Sequence, residues 1–219
     1  MKTKSAFQHV KDFATAPLRM LLLPDELSHR LGLTSLEDER LLAVRPWITG
    51  SLLDVGAGTN RLVREYGSGV GVDVYDFGGH ALLVPDTKHL PFQDGSFDTV
   101  TFVASLNHIP ERRDALAESR RVLRDGGRVV ITMIDPIVSA IGHRIWWYSE
   151  DKHRGGMRPG EVYGLWPSTV RTLLKDAAFE LVAEKRFLYG LNRLYVGRKS
   201  SRQHRTTSVA RLSGPDERR

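Results

Sequence analysis

The run Asp54-Val55-Gly56-Ala57-Gly58-Thr59-Asn60 places an acid, two glycines and the start of a helical pattern directly after the apolar Leu52-Leu53. Glycine has no Cβ, so its backbone can approach a ligand closely, and the carboxyl end of a first strand is where doubly wound sheets bind nucleotides. A dinucleotide-binding turn needs a third small residue at position 61, and Arg61 stands there. A pyrophosphate ligand is therefore disfavoured. What remains is Asp54, able to hold a cationic group, and Asp73, which follows Gly56 by 17 residues. That distance suits a carboxylate taking both hydroxyls of a ribose.

Two further residues have the chemistry of a proton acceptor. His108 follows an apolar run, Phe97 to Val103, and an imidazole changes charge near neutral pH. Asp135 follows a second run, Arg128 to Met133. Each has a structural alternative, His108 in shaping a turn and Asp135 in starting one with Pro136. Asp94 and Asp98, in Gln-Asp-Gly-Ser-Phe-Asp, are read as turn residues. The segment Ile134 to Trp166 holds three of the four tryptophans, with His143, Arg144, His153, Arg154, Arg158 and Glu161. Long connections in compact domains are usually functional or disordered, and this aromatic content argues against disorder. It reads as a substrate-covering insertion, with packing or dimer contact as the alternative. Its guanidiniums suit a carboxylate or phosphate on a substrate. His143, His153 and Glu161 match no metal-ligand spacing, and no metal site is expected.

The elements around these residues alternate. Residues 1–47 read as a helical preface, in which Ser35 caps an amphipathic stretch with an acidic first turn. Strands are expected at Ser51 to Val55, Gly69 to Val74, Ala81 to Val84, Phe97 to Val103 and Arg128 to Met133. Helices are expected at Asn60 to Tyr66, between Pro110 and Leu123, and at Ser168 to Ala177, with Asp125-Gly126-Gly127 as a stop between helix and strand. A closing hairpin joins Phe179 to Phe187 with Leu194 to Val196. This pattern predicts an α/β, three-layer domain over residues 48–198, with a mostly parallel sheet and an antiparallel C-terminal strand.

With 219 residues the chain forms one domain plus appendages. It has no cysteine, which removes disulfides, thiolate metal sites and cysteine nucleophiles. No apolar run approaches the ~18 residues of a membrane span, and a cytoplasmic protein is expected. The net charge of +6 is placed unevenly. From Arg198 onward seven basic residues face two acidic ones, so the rest of the chain carries only +1. Residues 199–219 read as a basic tail whose composition cannot offset its own ordering entropy. The near-neutral remainder argues against a nucleic-acid partner.

The ordered blocks resemble the class I S-adenosylmethionine-dependent methyltransferases, in the small-molecule group that includes ubiquinone and menaquinone methyltransferases. Asp54-Val55-Gly56-Ala57-Gly58 resembles the first motif of that family and Gly71-Val72-Asp73 its second. Asp86 to Phe92 with Asp94 to Asp98 is similar to the third region. Leu106-Asn107-His108-Ile109-Pro110 and Val122 to Gly127 follow in order. Asn60 stands where many members have a glycine. The resemblance implies a Rossmann-like, seven-stranded fold and S-adenosylmethionine as cofactor. It implies that Gly56, Ala57, Gly58 and Asn60 line the methionine moiety, with Asp54 near the amino group. Asp73 would take the ribose, Val74 would pack on adenine, and Asp86 with Thr87 would meet the adenine amine. Ala104 and Ser105 would sit nearest the methionine. The implied reaction is metal-independent methyl transfer to O, N or C of a small molecule, with His108 or Asp135 as base. Two rivals stay open: an RNA methyltransferase using the basic tail, and a cofactor-binding scaffold that transfers nothing. A homodimer is compatible with the preface.

Overall fold

The computed structural model describes residues 5–16, 25–145 and 156–200. Helix α1 (Ala6–Ala14) opens on Ser5, whose hydroxyl accepts from the Gln8 amide at 3.2 Å. Its docking is inverted. Asp12, 1% exposed, accepts from the amide and hydroxyl of Thr34, while Gln8 and Lys11 bond the Leu31–Gly32 turn. The opposite side shows Phe7, Val10 and Phe13 to solvent. A short helix α2 (Asp25–Arg30) leads to α3 (Leu36–Val44). The expected Ser35 cap is present as a reciprocal box with Asp38, which satisfies donors at the start of α3.

Seven strands form one sheet: β1 (Leu52–Val55), β2 (Gly69–Asp73), β3 (Leu82–Leu83), β4 (Phe97–Val103), β5 (Leu123–Ile134), β6 (Phe179–Phe187) and β7 (Asn192–Lys199). Their order is β3-β2-β1-β4-β5-β7-β6, with β1 to β5 parallel and β7 antiparallel to both neighbours. One face carries α3 and α4 (Arg61–Tyr66), with Leu41, Val44, Leu62 and Val63 packed on Leu52, Val130, Leu194 and Val196. The other carries α5 (Arg112–Val122) and α7 (Pro167–Asp176), with Leu116 and Leu174 among the side chains that meet Phe102, Ile131 and Tyr195. Between them α6 (Pro136–Ile145) follows β5. This is the three-layer α/β fold that the alternating pattern predicts, with the seven-stranded Rossmann-like sheet that the resemblance implies.

Two boundaries differ from the sequence expectation. The third strand is only Leu82–Leu83, because it lies at the sheet edge, where both side chains are exposed and no outer partner extends it. Asp125-Gly126-Gly127 does not separate helix from strand. α5 ends at Val122, β5 starts at Leu123, and the glycines fall inside β5 at an irregularity in its pairing with β4. Arg198 and Lys199 belong to β7, and Arg198 pairs with Glu180.

Arg61, the residue that departs from the dinucleotide pattern, has a structural task. Its guanidinium reaches Glu37 at 2.8 Å, Glu65 at 2.7 Å and Asp38, tying α4 to the cap of α3. Partial burial works against its charge, and the two carboxylates of α3 outweigh that and raise its pKa.

Candidate functional site

The site lies where β1, β2 and β4 end. After β1 the chain turns at Gly56 (φ 73°), whose amide, like that of Ala57, donates to the Val72 carbonyl. A Cβ on Gly56 would stand 2.5 Å from the Ser105 Cβ, so only glycine fits there. Ser105 is itself held by donating to the Val55 carbonyl at 2.6 Å. Gly58 (φ 52°) differs, since a Cβ there would meet nothing within 4 Å. The loop therefore has an open side at Gly58 and a packed side at Gly56. Asn60 adopts the left-handed conformation (φ 57°) that asparagine tolerates, and its Nδ2 donates to the His80 carbonyl.

Asp54 is 3% exposed and accepts from the Thr101 hydroxyl at 2.6 Å. Burial pushes its carboxyl up to about 7, the Thr101 bond opposes that rise, and Asp73 adds to it. Asp73 ends β2, 7% exposed, with Oδ2 accepting from the Gly58 amide at 2.8 Å and Oδ1 from the Tyr75 amide at 3.0 Å. Val74, just beyond it, is exposed. Asp86 closes a turn by accepting from the amides of Lys88 and His89, and the first of these does most to hold its carboxyl low; Thr87 beside it is buried. Ala104 (φ 53°) ends β4, its amide donating to the Thr132 hydroxyl at 3.0 Å. The residues expected to surround the methionine and ribose thus gather at one sheet edge. Their fit to an adenosyl ligand carrying an ammonium group is chemical: acids on β1 and β2, a glycine turn, and an exposed apolar side chain beyond Asp73.

The two candidate bases differ. Asp135 caps α6, its Oδ1 accepting from the Ile137 amide at 3.0 Å, so its turn role is realised. His108 ends a 3-10 turn (Leu106–His108) after β4, and its Nδ1 lies 3.4 Å from Oε2 of Glu161. Residues 156–166 cross the carboxyl edge of the sheet. Tyr163 accepts from the Ser139 hydroxyl, the Asn107 carbonyl and amide group bond Val162, and the Arg158 guanidinium sits 5.8 Å from the Tyr75 ring centroid. Composition alone did not reveal this crossing, since Asn107 and Val162 are joined by tertiary pairing. The side chains of His143, Arg144, Trp146, Trp147, His153 and Arg154 lie outside the described residues. At the rim, Asn192 is 1% exposed, with neither its amide nitrogen nor its oxygen hydrogen-bonded. No local sequence signal marks it.

Comparison with known proteins finds relatives for this domain. Residues 53–131 match the model of the methyltransferase domain. A protein of Encephalitozoon cuniculi that carries the name of a methyltransferase is 37% identical over 90 residues, which is 36% of this chain and 43% of that protein, so the match spans less than half the relative. The ubiquinone/menaquinone biosynthesis C-methyltransferase of Brucella suis is 25% identical over 199 residues, 72% of this chain and 74% of that one. The fold is shared with the 1,6-didemethyltoxoflavin-N1-methyltransferase of Burkholderia thailandensis, solved with its acceptor and S-adenosylhomocysteine. There the TM-score is 0.55 at 18% identity, over 92% of this chain and 94% of that one. With the strand order, the glycine turn and the acids of β1 and β2, these matches make the chain similar to the class I S-adenosylmethionine-dependent methyltransferases, with a methyltransferase domain over residues 53–131.

Proposed function

We propose that this chain moves the methyl group of S-adenosylmethionine to oxygen, nitrogen or carbon of a small molecule, with His108 as the base for an acceptor that brings a proton. The observation that carries this reading is the placement of Asp54, Asp73 and His108 at the carboxyl ends of β1, β2 and β4, with the segment 156–166 meeting this edge at His108 and at Tyr75.

When bound, the cofactor supplies an electrophilic methyl on a sulfonium whose leaving sulfide is neutral. The protein's work is then alignment, exclusion of water and proton removal. Gly56, Ala57, Gly58 and Asn60 line the methionine portion in this reading, with Asp54 near its ammonium. Asp73 accepts from the ribose hydroxyls, and a carboxylate has lone pairs left after two backbone bonds. Val74 packs on adenine, while Asp86 and Thr87 meet its edge. Ala104 and Ser105 form the floor between cofactor and acceptor. The crossing segment covers this edge, and His108 stands beneath it. Asp135 is a capping residue in the same reading. A small acceptor also agrees with the names of the two methyltransferases, one of ubiquinone/menaquinone biosynthesis and the other of 1,6-didemethyltoxoflavin. The RNA reading loses support because Arg198 and Lys199 are sheet residues with acidic partners, which shortens the basic arm.

Calorimetric titration with S-adenosylhomocysteine tests the cofactor half, and transfer of labelled methyl to a panel of phenols, hydroquinones and heterocyclic amines tests the acceptor half. Absence of binding by the wild type would overturn the first. Binding without transfer to any panel member would favour the scaffold reading.

A further inference from the structure

Asn192 opens β7 with 1% of its surface exposed, and neither the nitrogen nor the oxygen of its carboxamide has a hydrogen-bond partner. Buried polar side chains are nearly always paired, because an unpaired group forfeits the bonds it made in water. Here both ends of one carboxamide are unmet. The fold surrounds the group without supplying what it bonds.

The position belongs to the carboxyl edge of the sheet. In the β5–β7 ladder Asn192 stands opposite Ile134, the last residue of β5, and the Asp135 amide donates to the carbonyl of Leu191 at 3.1 Å. The crossing segment reaches the same place, since a Cβ on Gly164 would stand 2.7 Å from the Ile134 carbonyl oxygen. Side chains alternate along a strand, so Asn192 shares its face with Leu194 and Val196, in a cluster against which Val103 and Phe187 pack. Phe187 is its partner in the β6–β7 register. Val103 leads into Ala104, whose amide is tied to the Thr132 hydroxyl of β5. Val103, Ala104 and Ile134 are each partly exposed, so the strip from the end of β4 toward Asn192 is not sealed.

Three properties of a ligand follow. A carboxamide donates through nitrogen and accepts through oxygen side by side, and a cis amide, with an N–H next to a C=O, answers both at once. The neighbours on that face are hydrocarbon, so a charged group brought there would lose its hydration without a counterion. β4 and β7 flank β5, which sets the end of β4 and Asn192 two strand spacings apart, roughly 10 Å. A fused pair of six-membered rings, with its hydrogen bonds, fills that span.

We propose that Asn192 is the acceptor-recognition residue and that the acceptor is a flat, neutral two-ring lactam. Its N–H and C=O edge lies on the Asn192 carboxamide, and its far ring carries the reacting atom toward Ala104 and Ser105. The inference rests on the methyl-transfer reading and names the acceptor class for the same site.

Calorimetric titration of the protein saturated with S-adenosylhomocysteine tests this with three probes: 2-quinolone, N-methyl-2-quinolone and the anion 2-naphthoate, all of two fused rings. The wild type is expected to bind 2-quinolone at least about 10-fold more tightly than either of the others, since methylation removes the N–H and the anion has no neutral amide edge. Asn192→Leu and Asn192→Ala should both erase the preference for 2-quinolone over its N-methyl form, the alanine variant leaving space where leucine could obstruct. Unchanged affinity for S-adenosylhomocysteine in the variants shows that the fold is kept. Absence of 2-quinolone binding by the wild type, equal or tighter binding of either other probe, or a preference that persists in both variants would overturn the proposal. Titration of the wild type with S-adenosylhomocysteine alone decides the methyltransferase reading separately: binding there without discrimination among the probes removes the role of Asn192 and leaves that reading in place.

Discussion

The Gly58 amide donates to Oδ2 of Asp73 at 2.8 Å, so the turn that leaves β1 fixes the carboxylate that ends β2. The Tyr75 amide holds the other oxygen at 3.0 Å. Two backbone donors from different elements orient one carboxylate before any ligand arrives. A preset acceptor spares a ligand the ordering cost that a freely rotating side chain would add.

Asp73→Ala is expected to weaken S-adenosylhomocysteine about 10- to 100-fold, the loss of one or two charge-assisted bonds at roughly 1.5 to 3 kcal/mol in total. Asp73→Asn should fall between, since its carbonyl can still accept from Gly58. Calorimetry at fixed salt measures both. Undiminished binding in the alanine variant would remove Asp73 from the site.

Gly56→Ala should cost about 2 to 4 kcal/mol of stability, from the left-handed backbone and from overpacking against Ser105. The double variant Gly56→Ala with Ser105→Gly removes the close Cβ contact and should recover part of that loss in urea unfolding. Recovery that is absent would mean the backbone conformation, not the serine, limits this position.

The glycine turn of the candidate site was legible because its determinants are local: an acid, glycines with positive φ and a strand end lie within a few residues of each other. Asp73 was legible for a similar reason, since successive parallel strands end on the same edge. The acceptor side was not. Glu161 was readable only as a weak metal-ligand candidate, because its pairing with His108 arises from long-range zipping of residues 107 and 162. Thr101, which sets the environment of Asp54, meets it only through the β1–β4 register. Arg61 was legible as a departure from one motif, but its partners on α3 were not.

Asp54 should make stability depend on pH. Its carboxyl is raised from an ordinary 3.8 to about 7 in the fold, chiefly by burial, so the folded protein binds the proton more tightly than the unfolded chain. The fold is then favoured below the unfolded value. That advantage is lost as pH climbs from about 4 to about 7 and is gone above it. The shift corresponds to at most roughly 4 kcal/mol at 1.36 kcal/mol per unit. Asp54→Asn cannot ionise, so its stability should exceed that of the wild type by more at pH 8 than at pH 5 in urea unfolding. A constant difference across that range would refute a buried, raised Asp54. Binding of a ligand ammonium near Asp54 should also release a proton at pH 6 to 7, seen as a dependence of binding heat on buffer.

Asn192 offers the converse case, a buried polar group that the fold itself does not satisfy. It lies opposite Ile134 at the end of β5, one residue before Asp135, with its amide nitrogen and oxygen both lacking a partner. Such groups carry a desolvation cost of about 1 to 3 kcal/mol. Asn192→Leu has similar volume and shares a strand face with Leu194 and Val196, so it should raise stability by roughly 1 to 2 kcal/mol, read as a higher urea midpoint. Cofactor affinity should not change, because Asn192 stands on β7, away from the glycine turn. Methyl transfer should fall if the carboxamide is kept for the acceptor, giving a variant that is firmer and slower. A lower urea midpoint would show that the carboxamide is satisfied in the folded protein, which would withdraw it as an acceptor contact.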